Sequence, residues 1–252
     1  MIKVILSGCS GRMGVAVREV SENCDNIEIV CGVDMKKSTA CNFPVVESIF
    51  KFNGQADVII DFSSPDNAES LLDYAIGKDI PIVIATTGLG RAQLEYIKKC
   101  SEKIPVFQSS NMSLGINVML NLVAKASKVL SRSSDIEIIE KHHNQKLDAP
   151  SGTALLIADE IAEASGQTCK YIFDRHSARK KRGENEIGIL SLRAGSIVGE
   201  HTAIFASDNE IIEITHKAFS RELFAQGAVT AAEFVVSKPA GLYNMKDLVA
   251  DN

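Results

Sequence analysis

The sequence predicts an α/β protein in which a doubly wound parallel sheet at the N-terminus is followed by a C-terminal α+β domain with a mixed sheet. Three observations predict this. A chain of 252 residues is long enough for one large domain or two small ones, each with its own core. Up to about residue 107, short apolar runs alternate with stretches of helical period. Beyond residue 109 this alternation stops.

Five apolar runs in the first half are predicted to be strands. They are rich in β-branched residues and apolar throughout, as expected of parallel strands that crossover helices cover on both faces. They lie at 2–6, 27–33, 58–61, 81–85 and 105–107. Helical stretches separate them at 12–24, 66–77 and 91–101. The alternation of strand and helix indicates βαβ units.

The second half is predicted to form a different kind of domain. Its elements are, in order, a long helix at 115–130, a strand at 135–140, a polar segment at 141–151, a helix at 153–164 and three strand-like runs at 187–194, 201–206 and 210–217. Strands grouped in this way favour a mixed sheet with helices on one face. The pattern assigns the last helical stretch, 221–236, to neither domain.

Composition and charge exclude several classes of function. Lys and Arg number 27 against 32 Asp and Glu, and no basic block supplies the phosphate contacts that nucleic-acid binding needs. No stretch approaches the roughly 20 apolar residues of a membrane span. The six cysteines are scattered without a Cys-x-x-Cys pair, which favours free thiols in a reducing compartment. We therefore expect a soluble, cytoplasmic protein with no nucleic-acid or membrane partner.

A glycine-rich turn follows the first predicted strand. Gly8, Gly11 and Gly14 have the spacing Gly-x-x-Gly-x-x-Gly, a variant of the dinucleotide-binding fingerprint of Rossmann-type sheets. The fingerprint needs glycine where the chain turns tightly, where backbone approaches a pyrophosphate and where the helix packs on the strand. The motif therefore predicts a nicotinamide dinucleotide, NADH or NADPH. An ordinary glycine-rich turn is the alternative interpretation.

An acidic residue stands where the fingerprint places its ribose ligand. Asp34 follows the second predicted strand, 20 residues after Gly14, and is expected to accept hydrogen bonds from the adenosine ribose. Lys36 and Lys37 come next, and a cation there could pair with the 2′-phosphate of NADPH. Both cofactors therefore stay open. The alternative is a turn residue followed by a solvated loop.

Small and polar residues follow three later strands. In an open α/β sheet ligands bind beyond the carboxyl ends of the strands, so these residues are predicted to line the nicotinamide half of the site. They are Asp61, Phe62 and Ser63, then Ala85, Thr86, Thr87 and Gly88, then Ser109, Ser110, Asn111 and Met112. For the threonines and Asn111, a role in a turn or a helix cap is the alternative.

The densest group of reactive residues lies between a predicted strand and a predicted helix. The segment 140–154 reads Glu-Lys-His-His-Asn-Gln-Lys-Leu-Asp-Ala-Pro-Ser-Gly-Thr-Ala. Its end opens a helix whose N–H groups suit a carboxylate, which favours an anionic substrate. A hydride delivered to a conjugated double bond must be matched by a proton from a positioned side chain. Lys146 is the predicted donor, with His142 or His143 donating or binding.

Other interpretations of this segment stay open. Paired histidines could ligate a metal, but the order is not His-Glu-x-x-His and no cysteine is near, so no metal is predicted. The segment could also be a solvated loop. Elsewhere, Arg193, Glu200, His201 and His216 are interpreted as structural, and His176 with the run 179–182 as a solvated loop.

Two motifs resemble those of the 4-hydroxy-tetrahydrodipicolinate reductase family, historically called dihydrodipicolinate reductase. Gly-x-x-Gly-Arg-Met-Gly is present at 8–14, and the signature Glu-x-His-His-x-x-Lys-x-Asp-Ala-Pro-Ser-Gly-Thr-Ala is present at 140–154. Further blocks similar to the family lie at 60–62, 86–88, 111–117, 193–202 and 213–218. The resemblance covers essentially the whole chain in the same order.

The resemblance implies a role for each matching residue. It implies that His142 is a proton donor or acceptor and that Lys146 is the proton donor. It implies substrate binding by His143, Gly152 and Thr153. It implies cofactor binding by Gly8, Cys9, Ser10, Gly11, Arg12, Met13, Asp34, Ala85, Thr86, Thr87, Ser109, Ser110, Asn111 and Met112.

The resemblance also implies a reaction and an assembly. The reaction is reduction of 4-hydroxy-tetrahydrodipicolinate to tetrahydrodipicolinate by NAD(P)H, with loss of water, in lysine and diaminopimelate biosynthesis. The implied domains are 1–110 with 220–252 for the dinucleotide and 111–219 for substrate and oligomerisation, in a homotetramer. Two competing hypotheses are a non-catalytic NAD(P)-binding regulator and a dehydrogenase of another small acid such as aspartate.

Overall fold

The computed structural model describes residues 1–35 and 41–250. The strands are β1 Ile2–Ser7, β2 Ile27–Val33, β3 Val45–Val46, β4 Val58–Asp61, β5 Ile82–Ile84, β6 Pro105–Gln108, β7 Asp135–His142, β8 Lys170–Ile172, β9 Glu186–Arg193, β10 Gly199–Ala206, β11 Ile211–Ala218 and β12 Gly241–Tyr243. The α-helices are α1 Arg12–Glu22, α2 Ala68–Lys78, α3 Arg91–Ser101, α4 Leu114–Leu130, α5 Gly152–Ser165, α6 Glu222–Val235 and α7 Met245–Ala250. Short 3₁₀ turns cover Ile49–Lys51 and Pro65–Asn67.

The chain divides into two compact units. The first comprises Met1–Leu114 with Arg221–Asn252, and the second comprises Gly115–Ser220. These divisions fall after residues 114 and 220, where the sequence-based expectation placed them after 110 and 219. The functions assigned to the two parts, dinucleotide binding and substrate binding, stay predictions.

The first unit contains a seven-stranded sheet in the order β12-β6-β5-β4-β1-β2-β3, with every pairing parallel. Apolar clusters cover both of its faces. Val4 and Leu6 of β1 pack with residues of α1 and α6, whereas Ile5 packs with residues of α2 and α3. Successive strand residues point to opposite faces, which is why a central strand is apolar at every position. The predicted doubly wound parallel sheet is confirmed.

The second unit contains a mixed sheet in the order β11-β10-β7-β9-β8. β10 is antiparallel to β7 and β11, while β9 is parallel to β7 and β8. Helices α4 and α5 cover one face, where Val123 and Ile157 pack against Ile138 and Phe205. The predicted α+β unit with a mixed sheet is confirmed.

Among the residues described, no helix is long and apolar enough to cross a membrane.

Two details of the second unit differ from the sequence-based expectation. β7 continues to His142 instead of ending at residue 140, because the strand pairs with β9 up to the partners His142 and Arg193. The run 179–182 is not simply a solvated loop, since Arg182 Nε lies 2.9 Å from Asp135 Oδ1 and its side chain is 19% exposed. Ion pairing of this arginine is the reason for the difference.

The six cysteines are free thiols, as predicted.

Candidate active site

The glycine-rich turn of the first unit connects β1 to α1 and leaves no room for side chains. Gly8 has φ of +77°, and a Cβ there would lie 2.6 Å from the Phe62 carbonyl oxygen. A Cβ on Gly14 would lie 2.2 Å from the Gly8 carbonyl oxygen. Gly11 is the N-cap residue of α1, so it presents the N-terminus of the helix without a side chain in front of it. The turn has the form of a backbone cradle for an anion at a helix N-terminus.

Asp34 lies directly beside this turn. Its Oδ2 accepts a hydrogen bond of 3.0 Å from the backbone N–H of Ser10. Gly8, Gly11 and Asp34 all line one cavity of about 320 Å³, a size suited to a bound small molecule. The turn and its acidic neighbour therefore fit the adenosine half of a dinucleotide. Lys36 and Lys37 lie outside the described residues.

A buried carboxylate joins the carboxyl ends of three neighbouring strands. Asp61, at the end of β4, is completely buried and accepts hydrogen bonds from Ser63 Oγ at 2.6 Å and Thr86 Oγ1 at 2.7 Å. Burial raises the pKa of Asp61, while hydrogen bonds from Ser63, Thr86 and Ser7 oppose the rise. Asp61 thereby holds Thr86 in place. From the sequence, Asp61 is expected among the residues that line the nicotinamide half of the site. Its hydrogen bond to Thr86 is visible only in the structure.

The other predicted cofactor contacts fall into two groups. Thr87, in the loop after β5, is exposed. The Ser109 hydroxyl donates to the Asn111 carbonyl at 2.9 Å and so shapes the loop after β6. Cys9 and Met112 have side chains buried in the apolar core of the first unit. They can therefore offer a ligand only backbone groups.

Glu140 and His142 project from β7 of the second unit with one residue between them. Glu140 is completely buried, and its Oε2 lies 2.6 Å from His142 Nδ1. Arg193 of β9 donates two hydrogen bonds of 2.7 Å, one to each carboxylate oxygen. A bidentate pair of this kind fixes both groups in position. From the sequence, Arg193 is interpreted as structural. Its pairing with Glu140 is not evident there, because the two residues are 53 positions apart in the chain.

The N-terminus of α5, called here the head of the helix, is hydrogen-bonded to the Glu140 carboxylate. The backbone N–H of Ser151, the N-cap residue, donates to Glu140 Oε1 at 3.1 Å, and the Ser151 hydroxyl accepts from Ala154 N–H at 3.2 Å. A Cβ on Gly152 would meet no atom within 4 Å in the described chain. The first turn of α5 therefore borders open space, as a site for a substrate carboxylate requires.

Lys146 lies in the loop between His142 and α5. Its Nζ is 2.9 Å from Asp148 Oδ1, and its side chain is 22% exposed. The hydrogen bond from Lys146 lowers the pKa of Asp148. The carboxylate is therefore ionised near neutral pH, and its contact holds Lys146 Nζ in place.

A second histidine completes the group. The ring of His201 lies 5.2 Å from that of His142, edge to face, and its Nε2 is 3.0 Å from Ser151 Oγ. Burial lowers the pKa of His142, although Glu140 opposes the change, and burial with the neighbouring His142 lowers the pKa of His201 to about 4. Burial would raise the pKa of Glu140, but hydrogen bonds from Arg193 and His142 lower it to about 2. At neutral pH the pair is thus a carboxylate beside a mostly neutral imidazole.

The structure brings several predicted residues of the second unit together. Glu140, His142 and the head of α5 form one hydrogen-bonded cluster. The backbone carbonyl oxygen of His143 accepts a hydrogen bond of 3.2 Å from the backbone N–H of Lys146. In the part of the chain that the structure describes, no three His, Cys, Asp or Glu side chains are arranged to hold a metal ion. Arg193, Ser151 and His201 join the cluster although the sequence analysis did not select them.

Comparison with known proteins identifies the family. The family model "Dihydrodipicolinate reductase, N-terminus" matches residues 2–112, and "Dihydrodipicolinate reductase, C-terminus" matches residues 115–249. The chain belongs to the dihydrodipicolinate reductase family. It is 48% identical to the 4-hydroxy-tetrahydrodipicolinate reductase of Clostridium tetani (strain Massachusetts / E88), over 97% of this chain and 96% of that protein. Membership makes the chain an NAD(P)H-dependent oxidoreductase.

Solved structures agree with this assignment. A dipicolinate-bound dihydrodipicolinate reductase from Paenisporosarcina sp. TG-14 superposes with a TM-score of 0.85 at 25% identity, over 98% of this chain and 99% of that one. An aspartate dehydrogenase from Thermotoga maritima superposes with a TM-score of 0.52 at 13% identity, over 94% of this chain and 98% of that one. The second likeness is one of fold alone.

Proposed function

We propose that this member of the dihydrodipicolinate reductase family reduces 4-hydroxy-tetrahydrodipicolinate to tetrahydrodipicolinate, in lysine and diaminopimelate biosynthesis. The observation that carries the proposal is the cluster of Glu140, His142 and Arg193 at the N-terminus of α5. Relatives of this chain are named 4-hydroxy-tetrahydrodipicolinate reductase. The cluster presents a histidine beside a helix N-terminus. This pairing suits proton transfer to an anionic ring.

The first unit would hold the nucleotide. Gly8, Cys9, Ser10, Gly11, Arg12 and Met13 would hold the pyrophosphate, Asp34 the adenosine ribose, and Ala85, Thr86, Thr87, Ser109, Ser110, Asn111 and Met112 the nicotinamide side. When bound, the reduced nicotinamide supplies a hydride. We propose that NADH and NADPH both serve, because Asp34 suits free ribose hydroxyls and Lys36 and Lys37 follow it in sequence.

The second unit would bind the substrate. Gly152 and Thr153 begin α5, where the helix dipole favours a carboxylate, and the space beside Gly152 is open. His143 would complete the anion site. No metal is needed for this binding, since helix N–H groups and a histidine already supply hydrogen-bond donors.

Proton transfer would depend on two side chains. Lys146 would donate the proton that balances the hydride, and His142 would assist as donor or acceptor. Water leaves the ring in the overall reaction. The Asp148 contact holds Lys146 Nζ in a defined position for this transfer.

We further propose that the protein acts in the cytoplasm as a homotetramer. The face of the second unit's sheet opposite α4 and α5 carries exposed apolar side chains, among them Leu190 at 43%, Leu192 at 43% and Ile211 at 65%. Apolar side chains gathered on one sheet face favour burial against another subunit.

The proposed reaction is tested by mixing the purified protein with freshly condensed pyruvate and aspartate semialdehyde and following the absorbance of NADH, and separately of NADPH. We expect the absorbance of the reduced cofactor to decay only when the enzyme that condenses pyruvate with aspartate semialdehyde is present. We expect the kcat/KM values for NADH and NADPH to differ by less than about 100-fold, or roughly 2.7 kcal/mol. We expect Lys146→Ala and His142→Gln to lose turnover while NADH affinity is kept.

Three results would contradict parts of this proposal. NADH binding without decay would favour a regulator, and oxidation of aspartate by NAD⁺ would favour a dehydrogenase of another acid. Wild-type single-turnover rate in Lys146→Ala, with normal substrate binding, would refute its role as proton donor.

A further inference from the structure

Both oxygens of the Glu140 carboxylate accept hydrogen bonds, and this determines which nitrogen of His142 carries a hydrogen. Its Oε1 accepts from Arg193 Nη2 at 2.7 Å and from the Ser151 N–H at 3.1 Å. Its Oε2 accepts from Arg193 Nη1 at 2.7 Å and faces His142 Nδ1 at 2.6 Å. An ionised carboxylate only accepts hydrogen bonds. His142 must therefore carry a hydrogen on Nδ1, which leaves Nε2 as the nitrogen whose proton can change.

We propose that Glu140 is a positioning residue of the reaction: held by Arg193, it fixes the tautomer and orientation of His142, so that Nε2 is the atom presented to the substrate. This inference rests on the proposed function, in which His142 takes part in proton transfer. Glu140 acts through His142 and does not touch the substrate itself.

The surroundings of Nε2 agree with this role. A Cβ on Gly199, the first residue of β10, would lie 3.1 Å from His142 Nε2, so the glycine keeps that side of the ring free of a side chain. The other charged and titratable groups that act on His142 are Lys146 from the loop, Arg193 from β9 and His201 from β10. Glu140 is the one acid among the groups named, which makes it the group that sets the ring's preferred proton position.

Arg193 links this histidine to the loop that carries Lys146. Besides its two bonds to Glu140, its Nη2 donates to the Asp148 carbonyl oxygen at 2.5 Å. Asp148 in turn holds Lys146 Nζ through its side chain. One arginine therefore positions both side chains of the proposed proton transfer, one through a carboxylate and the other through the loop backbone.

The variant Glu140→Gln removes the negative charge of this side chain and keeps its size and shape. Its single oxygen is best placed toward Arg193 and the Ser151 N–H, because both are obligatory donors. The amide NH₂ then takes the place of Oε2, where it loses the hydrogen bond from Arg193 Nη1 and faces His142 Nδ1. His142 can respond by moving its hydrogen to Nε2. We expect neutral His142 to switch from the Nδ1–H to the Nε2–H tautomer, its pKa to fall, and kcat to drop about 10- to 100-fold with little change in KM.

The tautomer and pKa are measured by ¹⁵N NMR of the histidine side chains in the ligand-free full-length protein, with His142→Gln to assign the signals. The matched control is Glu137→Gln, which removes a carboxylate of the same strand that pairs with Arg175 at 2.7 Å. The control should leave the His142 signals and kcat unchanged. If Glu140→Gln does not fold, Glu140→Asp is measured instead, and the pKa of His142 should again fall because the shorter acid no longer reaches Nδ1.

Two outcomes overturn the proposal. One is a Glu140→Gln protein in which His142 keeps the Nδ1–H tautomer and its wild-type pKa. The other is a switched tautomer with unchanged kcat. Because the NMR measurement needs no substrate, a wild-type protein that shows the expected tautomer but no turnover refutes the proposed function and leaves the positioning of His142 by Glu140 supported.

Discussion

In the described ranges no acidic side chain forms an ion pair with the buried His201, and the stability of the fold therefore depends on pH through this residue. It is 4% exposed, and burial lowers its pKa from 6.5 to about 4. The unfolded chain therefore binds a proton near pH 6.5 that the folded chain resists until about pH 4. Stability from this residue is complete above about pH 6.5 and is lost as the pH falls toward 4.

We predict that replacing His201 removes part of the acid sensitivity. Between pH 7.5 and 4.5 the wild type should lose on the order of 3 kcal/mol of unfolding free energy through this group. His201→Gln should be less stable at pH 7.5 but show a smaller decrease on acidification. Urea midpoints measured across this range test the expectation. An equal decrease in His201→Gln, with the exposed His176→Gln as control, would contradict it.

The candidate site residues that the sequence alone predicts are those whose proposed roles depend on neighbours along the chain. Gly8 and Gly14 were recognisable because a turn between strand and helix is a local feature, and His142 and Lys146 because they share one short segment. Arg193 was not, because it meets Glu140 only through the parallel pairing of β7 with β9. No local pattern records which strands become neighbours in a mixed sheet.

At the scale of elements, the connection between β1 and α1 depends on close backbone contact. The helix begins so near the preceding turn that Gly14 sits against the backbone of Gly8 and Cys9. Gly77 of α2 offers a contrast, since a Cβ there would meet no described atom within 4 Å. Both positions are helical, so alanine brings the same gain in helix propensity to each.

We predict opposite results for alanine at these two positions. Gly14→Ala should destabilise the protein by about 1–3 kcal/mol and weaken NADH binding, because α1 must shift away from the turn. Gly77→Ala should stabilise it by up to about 1 kcal/mol with NADH affinity unchanged. Urea unfolding and a fluorescence titration with NADH measure both effects. Equal NADH affinity in the two variants would show that the turn does not contact the dinucleotide.

The elements that sequence analysis missed are short edge strands and the terminal helix. β3 has two residues and β12 has three, and each is defined by its pairing with β2 or β6. Such strands carry too few residues for a periodic pattern. The long central strands were predicted because burial on both faces makes their sequences apolar throughout.

At the scale of the whole molecule, the two sheets differ in how they are covered. Helices pack on both faces of the first, whereas on the second α4 and α5 pack on one face. Leu190 and Leu192 of β9 lie on its other face. This difference is the structural basis for the proposed homotetramer.

We predict that a charge on this face lowers the oligomeric state. Leu192→Lys should reduce the molar mass measured by light scattering at micromolar concentration from that of a tetramer to that of a dimer or monomer, since a buried unpaired ammonium opposes association. Leu94→Lys is the control, because Leu94 of α3 is 44% exposed, close to the 43% of Leu192. A wild type that is already monomeric, or an unchanged mass in Leu192→Lys, would contradict the assembly.

The discontinuous first unit has a consequence for synthesis on the ribosome. α6 supplies Ala228 and Val229 to the core beside β1, and a Cβ on Gly227 would lie 1.7 Å from the Met112 carbonyl oxygen, so the early strands close against a segment translated after the whole second unit. The second unit, in contrast, is one continuous stretch. A nascent chain can therefore complete the later-encoded unit first, and the early one stays without part of its core until α6 leaves the exit tunnel.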